Sequence, residues 1–206
     1  MPHQNAHHAA PLNALRNAQD EERCLVLRAQ DGDIHAFETL VERYQGRLFR
    51  SAYMIVRNRQ DSEDVVQETL VQVWRSLHML QDPAAFRSWL MRICTNKATS
   101  LVRKHQHRMT VPYDAESLEG ERTVAEAAAA TAADPADSSE VNAQLKALAD
   151  LLADVKPELR VVWVLHEVDG MSYDEIAQTL NLTNSTVRGR LARARSLVVR
   201  RMKEWA

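Results

Sequence analysis

Apolar residues recur at intervals of three and four positions along most of the chain, a spacing that predicts helices rather than strands. The repeat begins near Glu21, is interrupted at 31–33 and breaks again at 57–60. A helix is then predicted from Asp61 or Ser62, and another over about 85–104. The core-facing positions of these two helices are predicted to be Val66, Leu70, Val73, Trp74 and Leu77, followed by Phe86, Trp89, Leu90, Ile93 and Leu101.

The repeat is lost from Met109 to Val141, where alanine, acidic residues and proline predominate, and this stretch is predicted to be a flexible linker. Periodicity resumes near Asn142, and Pro157 suits the first turn of a later helix. The polar N-terminal residues are expected to form a disordered tail. The fold class expected is therefore all-α, with two small helical domains joined by the linker. The expected bounds of the tail, first domain, linker and second domain are 1–20, 21–108, 109–141 and 142–206.

Two short helices with a tight turn between them are predicted over 171–195. Ser172 and Glu175 form a capping box that starts the first helix, and 181–184 supply the turn. The second helix combines an apolar stripe with a dense array of arginines. Such a helix-turn-helix places its second helix in the major groove of DNA, where arginine pairs with guanine edges and phosphates. The predicted DNA contacts are Asn184, Ser185, Thr186, Arg188, Arg190 and Arg193.

The net charge of −2 is misleading, because the charges are segregated along the chain. Residues 84–108 carry six basic residues and no acid, and 183–206 carry seven basic residues and one acid. Between them, 114–140 hold eight acids and one arginine. This distribution predicts two basic faces separated by an acidic spacer, which suits a protein that holds nucleic acid at two places.

Few residues suggest metal, redox or membrane chemistry. Cys24 and Cys94 have no paired spacing and are expected to be reduced thiols of a cytoplasmic protein. No signal peptide or membrane span is visible in the sequence. A metal site at His3, His7 and His8 is a weaker interpretation than a disordered tail. No metal or other cofactor is expected.

Polar side chains mark two further helix faces. Acids cluster at the start of the helix predicted from position 61, where they favour the helix dipole, so a solvated charge cluster is one interpretation. Arg92, Asn96, Thr99 and Arg103 follow an i, i+4, i+7, i+11 progression, and form a polar stripe that suits a DNA backbone and an extruded base. A merely basic surface helix is the alternative. Trp89 is interpreted as a core residue rather than as a wedge between DNA strands.

Four segments resemble landmarks of one protein family, in the order in which that family carries them. Asp61–Leu70 resembles the Asp-x-Glu-Asp-aliphatic-x-Gln-Glu signature of bacterial sigma factors. Phe86–Lys97 resembles the family's promoter-melting helix, and Gly170–Ala177 and Thr186–Leu191 resemble its C-terminal helix-turn-helix. These segments are distributed from position 61 to position 191, so the resemblance spans most of the chain. The sequence therefore resembles the extracytoplasmic-function (ECF) sigma factors, the small two-domain class.

This resemblance implies a transcription initiation factor with no catalytic activity of its own. It implies that the first domain docks on the clamp helices of the largest catalytic subunit of core RNA polymerase through Asp61, Glu63, Asp64, Gln67 and Glu68. The same domain would hold the unpaired minus-ten strand through Arg92, Asn96, Lys97, Thr99 and Arg103. The second domain would read the minus-thirty-five element as duplex. An anti-sigma partner and a role in a stress or envelope response are further family expectations. Gly189 departs from the residue common in relatives, so no promoter sequence is carried over.

Three alternatives remain. A sigma-mimicking adaptor that sequesters an anti-sigma factor usually has a degraded DNA-reading helix, whereas the arginine array is intact here. A stand-alone repressor would leave the acidic and melting helices unexplained. An enzyme is least favoured, because the sequence has no glycine-rich phosphate loop and offers no further metal ligands beside His105 and His107.

Overall fold

In the computed structural model, residues 9–110 and 138–205 are described, and this part of the chain is helical with no strand. Four helices lie in each half of it. Their bounds are α1 Ala9–Gln30, α2 Ile34–Val56, α3 Arg59–Ser76, α4 Phe86–Thr110, α5 Ser138–Leu151, α6 Pro157–Trp163, α7 Tyr173–Leu180 and α8 Asn184–Trp205. Two 3₁₀ turns, Leu77–Met79 and Pro83–Ala85, join α3 to α4, and a π-helical turn, Val164–Val168, follows α6.

The helix α1 begins at Ala9, so the prediction of a disordered tail over 1–20 is wrong for residues 9–20. Alanine, leucine, glutamine and arginine are strong helix formers, and they outweigh the polarity of this segment. Pro11 is tolerated because it lies in the first turn, where its missing N–H has no helical partner. Residues 1–8 and the middle of the predicted linker, 111–137, lie outside the described residues.

Local side-chain caps set the breaks between the first helices. Asp33 caps α2 by accepting from the amides of His35 and Ala36, after Gly32 turns the chain at φ +91°. The next cap is Asn58, whose Oδ1 accepts from the Asp61 amide at 2.9 Å, so α3 begins at Arg59 rather than at 61 or 62. The helices α4 and α5 extend into the two ends of the predicted linker.

The apolar faces predicted from the sequence form the core of the N-terminal helices. Val66, Val73, Leu77, Phe86 and Leu90 are all buried there. Trp74 is an exception, because it is 36% exposed. The centre of its ring lies 4.8 Å from the centre of the Phe37 ring. The prediction of Trp74 as a core residue is therefore only partly correct, because the side chain packs on the outside of the core and remains partly exposed to solvent.

The second half packs on α8, whose predicted buried stripe is confirmed. Val187, Leu191, Ala194 and Val198 are 0–6% exposed and face α6 and α7. The capping box at the start of α7 is also confirmed: Ser172 Oγ accepts from the Glu175 amide, and Glu175 accepts from the Ser172 amide. This capping box fixes the start of α7 at Tyr173.

The two halves pack against each other through both apolar and polar contacts. The helices α2 and α4 contact α5, α6 and α7, and the centre of this junction is Asp169. Its carboxylate, 1% exposed, accepts a hydrogen bond from Ser51 Oγ at 2.6 Å, and its carbonyl accepts one from Arg87. Arg160, also buried, donates to the Ile55 carbonyl at 2.8 Å. We call this set Ser51, Arg87, Arg160 and Asp169 the polar junction.

Candidate nucleic-acid interface

The predicted docking residues lie on the first three turns of α3. Asp64, Gln67 and Glu68 are exposed, whereas Asp61 and Glu63 are half-buried. Three of the four carboxylates have basic side chains as neighbours. These pairs are Glu63 with Arg59 at 2.9 Å, Glu68 with Lys97 at 3.2 Å, and Asp61 with the His105 ring at 3.9 Å. The exposed members form an acidic patch that an incoming basic surface can reach.

The helix α4 carries the predicted polar stripe on its solvent side. Arg92, Asn96 and Arg103 are exposed, while Phe86, Leu90, Ile93 and Cys94 are buried on the opposite side. Thr99 is half-buried, and its hydroxyl donates to the Thr95 carbonyl at 2.8 Å. The stripe therefore offers two guanidinium groups and an amide to a ligand, with the Thr99 hydroxyl already engaged by the backbone.

Trp89 lies on the core side of α4. Its side chain is half-buried, packs on the hydrophobic core and has its ring centre 6.4 Å from that of Phe86. This position agrees with the interpretation of Trp89 as a core residue.

A groove of about 510 Å³ between α3 and α4 joins the acidic patch to the polar stripe. From α3 it is lined by Asp61, Asp64 and Glu68, and from α4 by Asn96 and Lys97. Two predicted surfaces that the sequence treats as separate are therefore contiguous across one groove.

The predicted recognition helix α8 presents its arginines on the faces away from the core. Arg188 and Arg193 are exposed and Arg190 is half-buried. Its N-terminal turn is held by Thr183, whose Oγ1 accepts from the Thr186 amide at 3.3 Å. A Cβ on Gly189 would meet only the tip of the Arg193 side chain, at 3.9 Å, so packing does not require glycine there.

Residues of α7 and of the preceding π-helical turn contact the predicted DNA-binding side chains of α8. The Arg188 guanidinium lies 5.7 Å from the centre of the Tyr173 ring, and that ring stacks on His166 at 5.1 Å. Asp174 accepts a hydrogen bond from the Asn184 side-chain amide. A cation–π contact of this exposed kind contributes about 0.5–1 kcal/mol. Tyr173 and Asp174 are not among the residues predicted from the sequence, although their place at the start of α7 is a signal that points to them.

Burial changes the ionisation of the polar junction. It raises the pKa of Asp169 to about 6, against the opposing effects of the Ser51 hydrogen bond and of the charges of Arg47, Arg87 and Arg50. Burial also lowers the pKa of Arg160 to about 10, so this guanidinium stays charged at neutral pH. Within the described residues, Asp169 Oδ2 and Arg160 Nε have no hydrogen-bond partner.

No group of three or more His, Cys, Asp or Glu side chains suited to a metal occurs in the described part of the chain. None of the described helices is long and apolar enough to cross a membrane. Cys24 and Cys94 are unpaired thiols, the first exposed and the second buried.

Comparison with family models gives two matches, one in each half of the chain. Residues 40–108 match Sigma-70 region 2, and residues 145–198 match Sigma-70, region 4. The chain is 33% identical to the ECF RNA polymerase sigma factor SigE of Mycolicibacterium smegmatis, over 92% of this chain and 76% of that protein. It is also 33% identical to the ECF RNA polymerase sigma-E factor of Escherichia coli K12, over 86% of this chain and 92% of that protein.

Two solved structures are similar over both halves. CnrH, solved in complex with the cytosolic domain of CnrY, superposes with a TM-score of 0.64 at 27% identity, over 90% of this chain and 99% of that one. The sigma factor RpoE of Bartonella quintana, solved with the anti-sigma factor NepR, gives 0.61 at 22% identity, over 81% of this chain and 96% of that one. The second likeness concerns the fold alone.

Proposed function

The chain belongs to the ECF sigma factors of the sigma-70 family, which direct RNA polymerase to promoters, and we propose how its surfaces divide that work. The acidic patch of α3 binds core RNA polymerase. The stripe of α4 holds the unpaired minus-ten strand, and the arginines of α8 read the minus-thirty-five duplex. The corresponding units are a first domain over 21–108 and a second over 142–206, with the linker 109–141 between them.

The observation that carries this division is the separation of charge on the surface. The exposed carboxylates of Asp64 and Glu68 lie on α3, whereas Arg92 and Arg103 lie on α4 with no acid between them in sequence. Cationic side chains supply most of the affinity for nucleic acid, and carboxylates next to them would oppose it. Acids and bases on distinct helices therefore suit a protein that binds a polymerase and DNA at the same time.

We propose that the described arrangement is a closed form, and that the two domains separate at a promoter. In it, α4 packs against α7 and α7 against α8, so one helix lies between the two DNA-reading helices. Packed helix axes lie 8–10 Å apart, which places those helices roughly 20 Å apart. Promoter elements centred about 25 base pairs apart are separated by about 85 Å at 3.4 Å per base pair. The closed form cannot reach both elements.

We further propose that an anti-sigma factor controls the chain. We also propose that the chain acts in the cytoplasm, where RNA polymerase binds DNA. The likeness to CnrH supports this, because CnrH was solved with a bound partner and superposes over 90% of this chain. A partner that binds both domains of the closed form would keep the DNA-reading helices too close together for a promoter. The chain contributes no catalytic activity of its own; nucleotide addition stays with the polymerase.

Run-off transcription with purified core polymerase on genomic fragments tests the proposal. The chain is expected to produce discrete transcripts that core alone does not make, and Arg188→Ala should reduce them without reducing the amount of chain bound to core. Absence of any start site, together with binding of the chain alone to intact duplex, would instead favour a stand-alone repressor.

A further inference from the structure

Lys97 differs from the other predicted minus-ten contacts because it is already paired with an acid. Its amine lies 3.2 Å from a carboxylate oxygen of Glu68, which is one of the predicted polymerase contacts. Within residues 9–110 and 138–205, the stripe residues Arg92 and Arg103 have no such ion pair and are exposed. One residue of the DNA surface is thus neutralised by one residue of the polymerase surface.

The two partners of this pair are unequally accessible. Both side chains line the groove between α3 and α4, but Lys97 is only 24% exposed, whereas Glu68 is 68% exposed. A protein that approaches α3 therefore meets Glu68 first. The contact between Asp61 and His105 crosses the same groove, so acids of α3 face bases of α4 at both ends of it.

We propose that Glu68 masks Lys97 in the free chain, and that polymerase docking at Glu68 releases Lys97 to bind a DNA phosphate. This inference rests on the proposed function of both surfaces. When core engages the Glu68 carboxylate, Lys97 loses its counter-charge and regains the capacity to neutralise a phosphate. The coupling is reciprocal, because DNA that captures Lys97 equally releases Glu68 for the polymerase.

The size of the effect follows from the exposure of the pair. Exposed ion pairs change equilibria by factors of about two to five, so the masking should be of that order. A lysine that gains a phosphate contact also steepens the dependence of log affinity on log salt by about 0.7 for a single strand. This second quantity reports phosphate contact directly, and a purely structural role of Glu68 would leave it unchanged.

The test uses the full-length chain without polymerase and a fluorescein-labelled dT₁₂ oligonucleotide, followed by anisotropy at several salt concentrations. The variants are Glu68→Gln, Lys97→Met and the two combined. Glu42→Gln, an exposed position on α2, is the control for the loss of one negative charge. A further variant, Arg92→Ala, reports whether the stripe binds the strand at all.

We expect Glu68→Gln to tighten binding about two- to fivefold and to steepen the salt slope, and Lys97→Met to abolish that gain. In the wild-type background, Lys97→Met should have little effect, and Glu42→Gln should fall well short of Glu68→Gln. The same loss from Lys97→Met in both backgrounds, or equal gains from the two glutamine variants, would overturn the masking while leaving the stripe as a DNA surface. No effect of Arg92→Ala would remove the stripe itself and, with it, the inference.

Discussion

We expect the buried carboxylate of Asp169, at the polar junction, to make the proposed closure of the two domains pH-dependent. Its pKa is raised from 3.8 to about 6 in the closed form, a change that corresponds to about 3 kcal/mol at 1.36 kcal/mol per pH unit. Because the closed form holds the proton more tightly than a solvated Asp169 would, it is favoured as the pH falls. Above pH 6, burial of the ionised Asp169 carboxylate destabilises the closed form by about 3 kcal/mol. This penalty becomes smaller as the pH drops towards 4.

The substitution Asp169→Asn tests this reasoning, because asparagine keeps an oxygen acceptor for Ser51 and does not titrate. Lowering the pH from about 7.5 to about 5 should favour closure of the wild type by about 1.4 kcal/mol, a tenfold change in the closed-to-open ratio. In Asp169→Asn this dependence should be lost. At pH 7.5 the variant should also be the more closed of the two, because it buries no charge at this position.

The assay is Förster transfer between dyes attached to exposed positions of α2 and α8, in a chain whose exposed Cys24 is replaced by serine. Asp150→Asn, an exposed position on α5, is the control for the loss of one carboxylate. Transfer should rise with acidification in the wild type and in Asp150→Asn, but not in Asp169→Asn. A pH profile shared by all three proteins would refute the assignment of the dependence to the junction carboxylate.

Three further predictions concern the binding surfaces. Arg188→Ala and Arg193→Ala should each weaken binding of the holoenzyme to its promoter by about 1–3 kcal/mol where the arginine is bidentate to guanine. Gel-shift titration measures this affinity. A parallel loss of core binding would contradict a role of these arginines in DNA recognition. Charge reversal at Asp64 and Glu68 together should abolish core binding, as measured by size-exclusion chromatography. Thermal unfolding followed by circular dichroism should be unchanged. Unchanged affinity for core would refute docking at these acids. Tyr173→Leu should weaken binding to the upstream duplex about two- to fivefold by removing the ring beneath Arg188. Tyr173→Phe should not, so equal losses would assign the effect to the hydroxyl group.

The helices were predictable because each carries an apolar stripe of helical period, and the stripe of α8 is buried as its spacing indicates. Their ends were less predictable. The start of α3 was placed among its acids, which favour a helix N-terminus, but the cap is the side chain of Asn58. The helix α1 begins earlier than the polar pattern predicts, because the helix propensity of its residues outweighs their polarity. Boundaries depend on single hydrogen bonds, which a periodic pattern does not contain.

The candidate surfaces could be listed from the sequence, but their adjacency could not. Helical spacing places residues on one face of one helix, so Asn96 and Arg92 were grouped correctly on α4. It carries no information on which residues of another helix lie opposite them. The ion pair of Glu68 with Lys97 joins positions 29 apart, and the hydrogen bond of Ser51 with Asp169 joins positions 118 apart. Such contacts follow from the packing of whole helices.

The composition of the polar junction suits a contact that opens. An apolar interface is stabilised in proportion to the area that it buries, and its separation exposes all of that area to water. Here the closed form leaves Asp169 Oδ2 and Arg160 Nε without partners among the described residues, and each such buried group costs about 1–3 kcal/mol. Water satisfies both groups when the domains separate. Opening therefore recovers part of what the lost hydrogen bonds of Ser51 and Ile55 cost, and a polymerase or an anti-sigma factor selects between the two forms by the difference in its affinity for them.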